Sequence, residues 1–425
     1  MPKLKLAYEW IGPTGPISNN DYPSIYETMH QYNNQYVNTA YTRRDPNLEH
    51  LLSKVCEVEI TPVCNIKFND FFFYDMSHDW RHAFLFESTY AGSINPRIKS
   101  ILDNDHSNGY YAFNFGIEGE FEETFQRNFY SLLKRNKINP NKVIYITGCI
   151  NAQKLNDKFV KENNIDGSIK FINYMHFSSN VIDYQTLKEG KKSRSKKFIC
   201  LNRRWKPHRL MLYIYLHKHK LLDNFYFSMP GNNVGHIPRE FTDISLETAA
   251  RYNIDIDIND IESAYNDLPL VVDSSEFSKI NFPWWENDRL KPYFEDSYVS
   301  IVPETFYHES GIFPTEKIFR PMSFAHPFLV LANTGYLKEL KATGVKTFSD
   351  FIDESYDGIV DDGRRLNRFL SLVREMCDWP TSKFEELIDN SRNTCVDNYN
   401  LIVTDGSSLM DIAARQINEF SKREV

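Results

Sequence analysis

Short apolar runs alternate with helix-patterned stretches along most of this chain, and that alternation limits the folds open to it. Leu4 to Trp10, Phe71 to Tyr74, Tyr110 to Phe115, Val143 to Thr147 and Ile169 to Phe177 read as strands. Between them lie stretches such as Phe121 to Lys137, where Phe121, Phe125, Phe129 and Leu132 recur at the spacings of one helix face. Strands separated by helices of this size line up parallel, joined by crossover helices. The pattern restarts with a strand at Phe198 to Leu201 and a helix at Pro207 to Leu222. Further strands follow at Phe225 to Ser228, Tyr298 to Val302 and Phe328 to Leu331. Residues 232–296, rich in Asp, Asn and Pro, read as irregular, and helices are expected over 364–376, 381–397 and 405–422.

Lys188 to Lys197 is polar, basic and without apolar periodicity, which makes it the best linker. The expected plan is α/β: an N-terminal Rossmann-like acceptor domain over 1–187, a linker over 188–197, and a C-terminal Rossmann-like nucleotide-sugar domain over 198–403. A C-terminal helix over 404–425 completes it. No fixed period recurs, which argues against a solenoid or propeller. Ligands of parallel sheets bind beyond the carboxyl ends of the strands, and a cleft between two such halves is the default site.

Composition narrows the functions. Hydrophobic residues make up 41% of the 425 residues, ample for large cores, so a disordered chain is excluded. With 49 Lys and Arg against 57 Asp and Glu, the net charge is −8, so any hold on nucleic acid must be local. A basic stretch over 191–209 and an aromatic content of 15% leave room for such a contact. No run of about 18 apolar residues suggests a membrane span. The opening residues read as a strand, and none of the six cysteines sits in a CxxC pair, so a reduced, cytoplasmic chain is expected.

The most informative segment runs from Tyr298 through Glu304-Thr305 to Pro314-Thr315-Glu316-Lys317 and Arg320-Pro321. A strand delivers Glu304 to its carboxyl end. After a loop, Thr315 suits an N-cap, leaving Glu316 and Lys317 in the first helical turn. An anion there meets free amides, the positive end of the dipole and an ammonium. Glu316 is an acceptor for two ribose hydroxyls. Pro321, inside the helical pattern, predicts a short or kinked helix. A second constellation is the strand at Phe198 to Leu201 running into Asn202-Arg203-Arg204 and, early in the next helix, Arg209. Arginine there bridges phosphate oxygens with its planar fork. A third is the opening loop Glu9 to Pro16, where Gly12 and Gly15 permit close backbone approach to a ligand.

A strand ending in Glu304, a loop, Thr315-Glu316-Lys317, a helix, Pro327 and an apolar strand is similar to the donor-binding motif of fucosyltransferases and other two-domain GT-B glycosyltransferases. From Glu304 to Asp353-Glu354-Ser355-Tyr356-Asp357 the chain also resembles glycosyltransferases of large tailed phages. The likeness covers about residues 198–360. The fucosyltransferase pattern has Asn after the first Glu where this chain has Thr305, and its loop is shorter, so no GDP-fucose donor is inferred.

The resemblance implies two Rossmann-like domains facing a cleft and transfer of a sugar from a UDP- or GDP-linked donor, with no metal required. It implies that Gly12, Gly15, Arg209, Glu304, Thr315, Glu316 and Lys317 bind the donor, and that an arginine after the first strand of the C-terminal domain, Arg203 or Arg204 by position, stabilises the leaving diphosphate. Direct displacement needs a base on the acceptor hydroxyl. Glu118 is the first choice, ahead of Glu120, Asp75, His78 and Asp79. The acceptor is either a hydroxymethylated base in DNA, in a phage context, or a glycan or protein. The rival classes are a nucleotide-sugar or glycan binder without turnover and a virion structural protein. Asp255-Ile-Asp257 is formally a DxD, but it sits in an alternating, strand-like run, and no metal site is read there.

Overall fold

The computed structural model describes residues 3–12, 15–16, 41–43, 46–76, 94–115, 119, 121–180, 193–231, 237–272, 290–403 and 407–422. The chain divides into two compact units, Met1–His176 with Met410–Val425, and Phe177–Leu409.

The first unit holds one sheet. Its strands are β1 (Lys3–Gly12), β2 (Gly15–Pro16), β3 (Tyr41–Arg43), β4 (Glu57–Pro62), β5 (Phe72–Asp75), β6 (Gly109–Phe115), β7 (Val143–Thr147) and β8 (Lys170–Asn173). Six are parallel in the order β4-β1-β5-β6-β7-β8, while β2 and β3 pair antiparallel with the end of β1. Successive residues of a strand feed opposite faces. Phe72, Tyr74, Tyr111, Phe113, Val143, Tyr145 and Phe171 build one core. Phe73, Tyr110, Ala112, Ile144, Ile146 and Ile172 build the other. Covered on both faces, β5 and β7 are buried throughout, which is why they read as unbroken apolar runs. The helix Glu123–Arg135 seals the first face with Phe129 and Leu133. The last helix, Ser407–Ser421, covers the second with Ala413 and Ile417.

This packing accounts for much of the aromatic content. Phe115 stacks on Tyr145 at 5.0 Å, and Phe121, Phe125, Phe129 and Phe171 crowd the same ring at 5.5 to 5.8 Å. These rings are core, where the sequence left them open to stacking on bases.

The second unit carries β9 (Lys196–Leu201), β10 (Phe225–Ser228), β11 (Ser297–Pro303) and β12 (Phe328–Leu331), all parallel, in the order β10-β9-β11-β12. The expectation of irregular structure over 232–296 is corrected: Arg239–Tyr252, Ile258–Asn266 and Lys291–Glu295 are helices. The first buries Phe241, Ser245, Thr248, Ala249 and Tyr252, a helical period disguised by small and polar residues. The strand-like reading around Asp255-Ile-Asp257 is corrected too. Asp257 is an N-cap, and a capping box with Asp260 starts the second helix.

Candidate functional site

In the second unit, β9 leads through the helix Pro207–Lys218 to β10 on one side, and β11 leads through the helix Glu316–Ser323 to β12 on the other. The two crossovers diverge from neighbouring strands. That divergence opens a crevice beyond the carboxyl ends of β9 and β11, the place where open parallel sheets bind ligands.

A cavity of about 200 Å³ lies there. Its lining includes six cations, Arg203, Arg204, Lys206, Arg209, Lys317 and Arg320, against one carboxylate, Glu316, among the described residues. The difference, 6 − 1, is an excess of five positive charges in a chain whose net charge is −8. Phe177 and Phe313, with ring centroids 5.9 Å apart, give the cavity an aromatic wall.

The first side is laid down by the turn after β9. Arg203 and Arg204 are exposed, and Arg209 is 3% exposed. The Arg209 Nη2 donates to the Glu304 carbonyl at 2.8 Å, while its Nε is a buried donor with no partner. A buried unsatisfied donor is costly, and the Glu304 carbonyl offsets part of that cost by holding the same guanidinium. Burial draws the Arg209 pKa down, and Glu304 and Glu316 oppose that shift. His208 stacks on Tyr307 at 5.0 Å and bonds the Glu304 carbonyl through Nε2 at 2.9 Å. Burial holds its pKa well below the ordinary value, so it is a neutral imidazole.

The second side is organised by Glu304. Its carboxylate is buried and accepts from Thr305 N at 3.0 Å, Thr315 N at 3.2 Å, Thr315 Oγ1 at 2.6 Å and Tyr336 Oη at 2.9 Å. Four donors satisfy the charge that burial penalises. Thr315 is the N-cap, its Oγ1 accepting from Lys317 N at 3.4 Å. Lys317 Nζ donates to Thr305 Oγ1 at 3.0 Å, Thr315 Oγ1 at 3.1 Å and Glu316 Oε1 at 3.0 Å. Burial pushes the Glu316 carboxyl up, but Lys317 and Arg320 together outweigh it and hold the group below its ordinary value. Pro321 lies inside the helix, which ends two residues later at Ser323.

Arg203, Arg204, Arg209, Thr315, Glu316 and Lys317 therefore meet around one cavity, with Glu304 behind them. The basic stretch over 191–209 does not act as one feature. Lys196 and Lys197 sit at the start of β9, bonded to the carbonyls of Asp223 and Cys377, while Arg203 and Arg204 follow its other end. Gly12 of β1 and Gly15 of β2 are antiparallel partners in the first unit. Glu118, Glu120, His78 and Asp79 lie outside the described residues. Asp75 ends β5 and is buried. Sequence reasoning missed Lys206, Arg320, Phe177, Phe313 and Tyr336. Arg320 was readable, since it lies three residues after Lys317 on the same short helix. Tyr336 carries no local signal.

Among the described residues, no three His, Cys, Asp or Glu side chains are grouped to hold a metal ion, and no helix is long and apolar enough to cross a membrane. No family model matches the chain, and no curated protein matches it. Fold and site define the class: a two-unit α/β protein with a cationic, aromatic-walled cavity at the switch point of its second parallel sheet.

Proposed function

We propose that this chain is a GT-B glycosyltransferase that moves a sugar from a UDP- or GDP-linked donor to an acceptor hydroxyl. The carrying observation is the excess of cations around a cavity at the strand ends, with the buried Arg209 among them. Breaking the glycosidic bond of such a donor loads charge onto the departing diphosphate, and fixed cations lower that barrier. In this reading Arg209 and Lys317 hold the diphosphate, Arg203 and Arg204 neutralise the leaving oxygen, and Glu316 accepts the ribose hydroxyls. Phe177 and Phe313 offer faces to the base. Glu304 and Thr315 fix the loop that presents Lys317.

Titration calorimetry against UDP and GDP tests the reading. Binding to at least one is expected, and Lys317→Ala weakens it about tenfold, the scale of a lost charge-assisted hydrogen bond. A chain that binds neither nucleotide is not this enzyme. Binding without hydrolysis or transfer of any donor sugar would instead identify a recognition module.

For the acceptor, one observation favours DNA. Lys206 lines the cavity, forms no ion pair among the described residues and has no part in holding the donor, so it is left to meet an acceptor phosphate. Incubation of hydroxymethylcytosine DNA with UDP- and GDP-sugars, followed by nucleoside mass spectrometry, checks this. Modification of glycan or protein but not of DNA selects the other acceptor class.

A further inference from the structure

The Glu316–Lys317 pair has an unusual geometry. Adjacent residues on a helix point about 100° apart and do not normally face one another. Here the Glu316 carboxylate turns back to meet Lys317 Nζ at 3.0 Å, and the two side chains are only 19% and 20% exposed. An ammonium has three N–H donors. All three are engaged, on Glu316, Thr305 and Thr315. Lys317 is therefore not an open phosphate site. A phosphate oxygen gains it only by displacing one of those acceptors, and Glu316 is the acceptor that competes by charge.

We propose that this pair is the selectivity element of the cavity: it discriminates against ligands that bring only phosphate and admits those that also offer hydroxyl donors to Glu316. The inference rests on the reading of the cavity as a nucleoside diphosphate site. A bare pyrophosphate that takes Lys317 leaves the Glu316 carboxylate half-buried, without its cation and facing an anion. That is a repulsive penalty built against the wrong ligand. A nucleoside diphosphate that takes Lys317 gives Glu316 a ribose diol in exchange. The number of satisfied groups is conserved, and the penalty disappears. Arg209 differs in kind, because it forms no ion pair among the described residues and has no competing carboxylate to release; its Nη2 rests on the Glu304 carbonyl.

The test is calorimetry with inorganic pyrophosphate and with whichever of UDP and GDP binds, on wild type and Glu316→Gln. The amide keeps the side-chain shape and removes the competing charge. Glu316→Gln is expected to bind pyrophosphate about fivefold more tightly, the upper range for a partly exposed ion pair, while its nucleotide affinity falls. The ratio of the two affinities thus collapses. Glu316→Asp, whose shorter carboxylate reaches Lys317 less well, shifts the ratio the same way by less, and serves if the amide variant unfolds. Both affinities moving together, or neither moving, overturns the selectivity role and leaves the proposed function standing. A wild-type chain that binds neither pyrophosphate nor nucleotide overturns both.

Discussion

The Tyr336 hydroxyl donates to the Glu304 carboxylate at 2.9 Å, joining the helix after β12 to the strand end that carries the candidate site. Burial holds the phenol well above its ordinary pKa, so it is a permanent donor. Glu304 in turn fixes Thr305 and Thr315, both of which bond Lys317. Tyr336→Phe removes one of four donors from a buried carboxylate and is expected to cost about 1–3 kcal/mol. Urea unfolding measures this. The same variant should weaken nucleotide binding although Tyr336 does not line the cavity, and an unchanged affinity would detach Tyr336 from the site.

The parts of this site that lie on one strand end and the following helix were legible in the sequence. Thr315 as N-cap, Glu316 and Lys317 behind it, and the shortening at Pro321 follow from local chemistry. So did the parallel sheets, because doubly covered strands are apolar throughout and their helices keep an apolar period. What escaped depends on chain closure. Tyr336 meets Glu304 across 32 residues, and Phe177 meets Phe313 across a still longer span. Their own surroundings are ordinary. The helix over 239–252 escaped for another reason: its buried positions include Ser245 and Thr248, which carry no hydrophobic signal. The helix over 258–266 is nine residues long, and the alternation that leads into it, from Ile254 to Ile261, reads as a strand.

Phe313 tests the aromatic wall of the cavity independently of its cations. It is buried and packs against Phe306 at 5.8 Å as well as Phe177 at 5.9 Å. Stacking of a base on an aromatic ring is worth about 1–3 kcal/mol. Phe313→Leu keeps apolar volume and removes the ring face. Nucleoside diphosphate affinity should drop by at least about fivefold while pyrophosphate affinity holds, both by calorimetry. Equal losses for the two ligands would assign Phe313 to packing alone.

Arg365 secures the loop that carries Thr305, Phe313 and Thr315. It is 1% exposed and lies over the Tyr307 ring at 4.5 Å. Nε bonds the Ala332 carbonyl at 3.0 Å, Nη1 the Ile359 carbonyl at 2.8 Å and Nη2 the Tyr307 carbonyl at 2.8 Å, with Asp362 as counter-ion. No other side chain offers that fork. Arg365→Met leaves Asp362 without this counter-ion and three carbonyls without a donor, and the expected loss is about 3–5 kcal/mol. Arg365→Lys restores the charge but not the fork, so thermal unfolding should show it recovering only part of that loss.

Two buried histidines set the acid limit of the second unit. Burial pushes His326 down to about 3, and His208 is also held well below its ordinary value of 6.5. His326 bonds Ser300 at 2.8 Å and the Ser297 carbonyl at 2.7 Å, contacts that serve a neutral ring. Unfolding frees both rings to charge. Below pH 6.5 the unfolded chain therefore binds more protons than the folded one, and stability falls as the pH drops, down to about pH 3 for His326. His326 contributes about 1.4 kcal/mol per pH unit in that window, so about 2 kcal/mol is lost between pH 6.5 and 5, and His208 adds a loss of the same sign. Urea midpoints at pH 7.5, 6 and 5 measure the slope. His326→Gln should start lower at pH 7.5 and fall less steeply. A variant that keeps the wild-type slope would place the acid sensitivity on other groups.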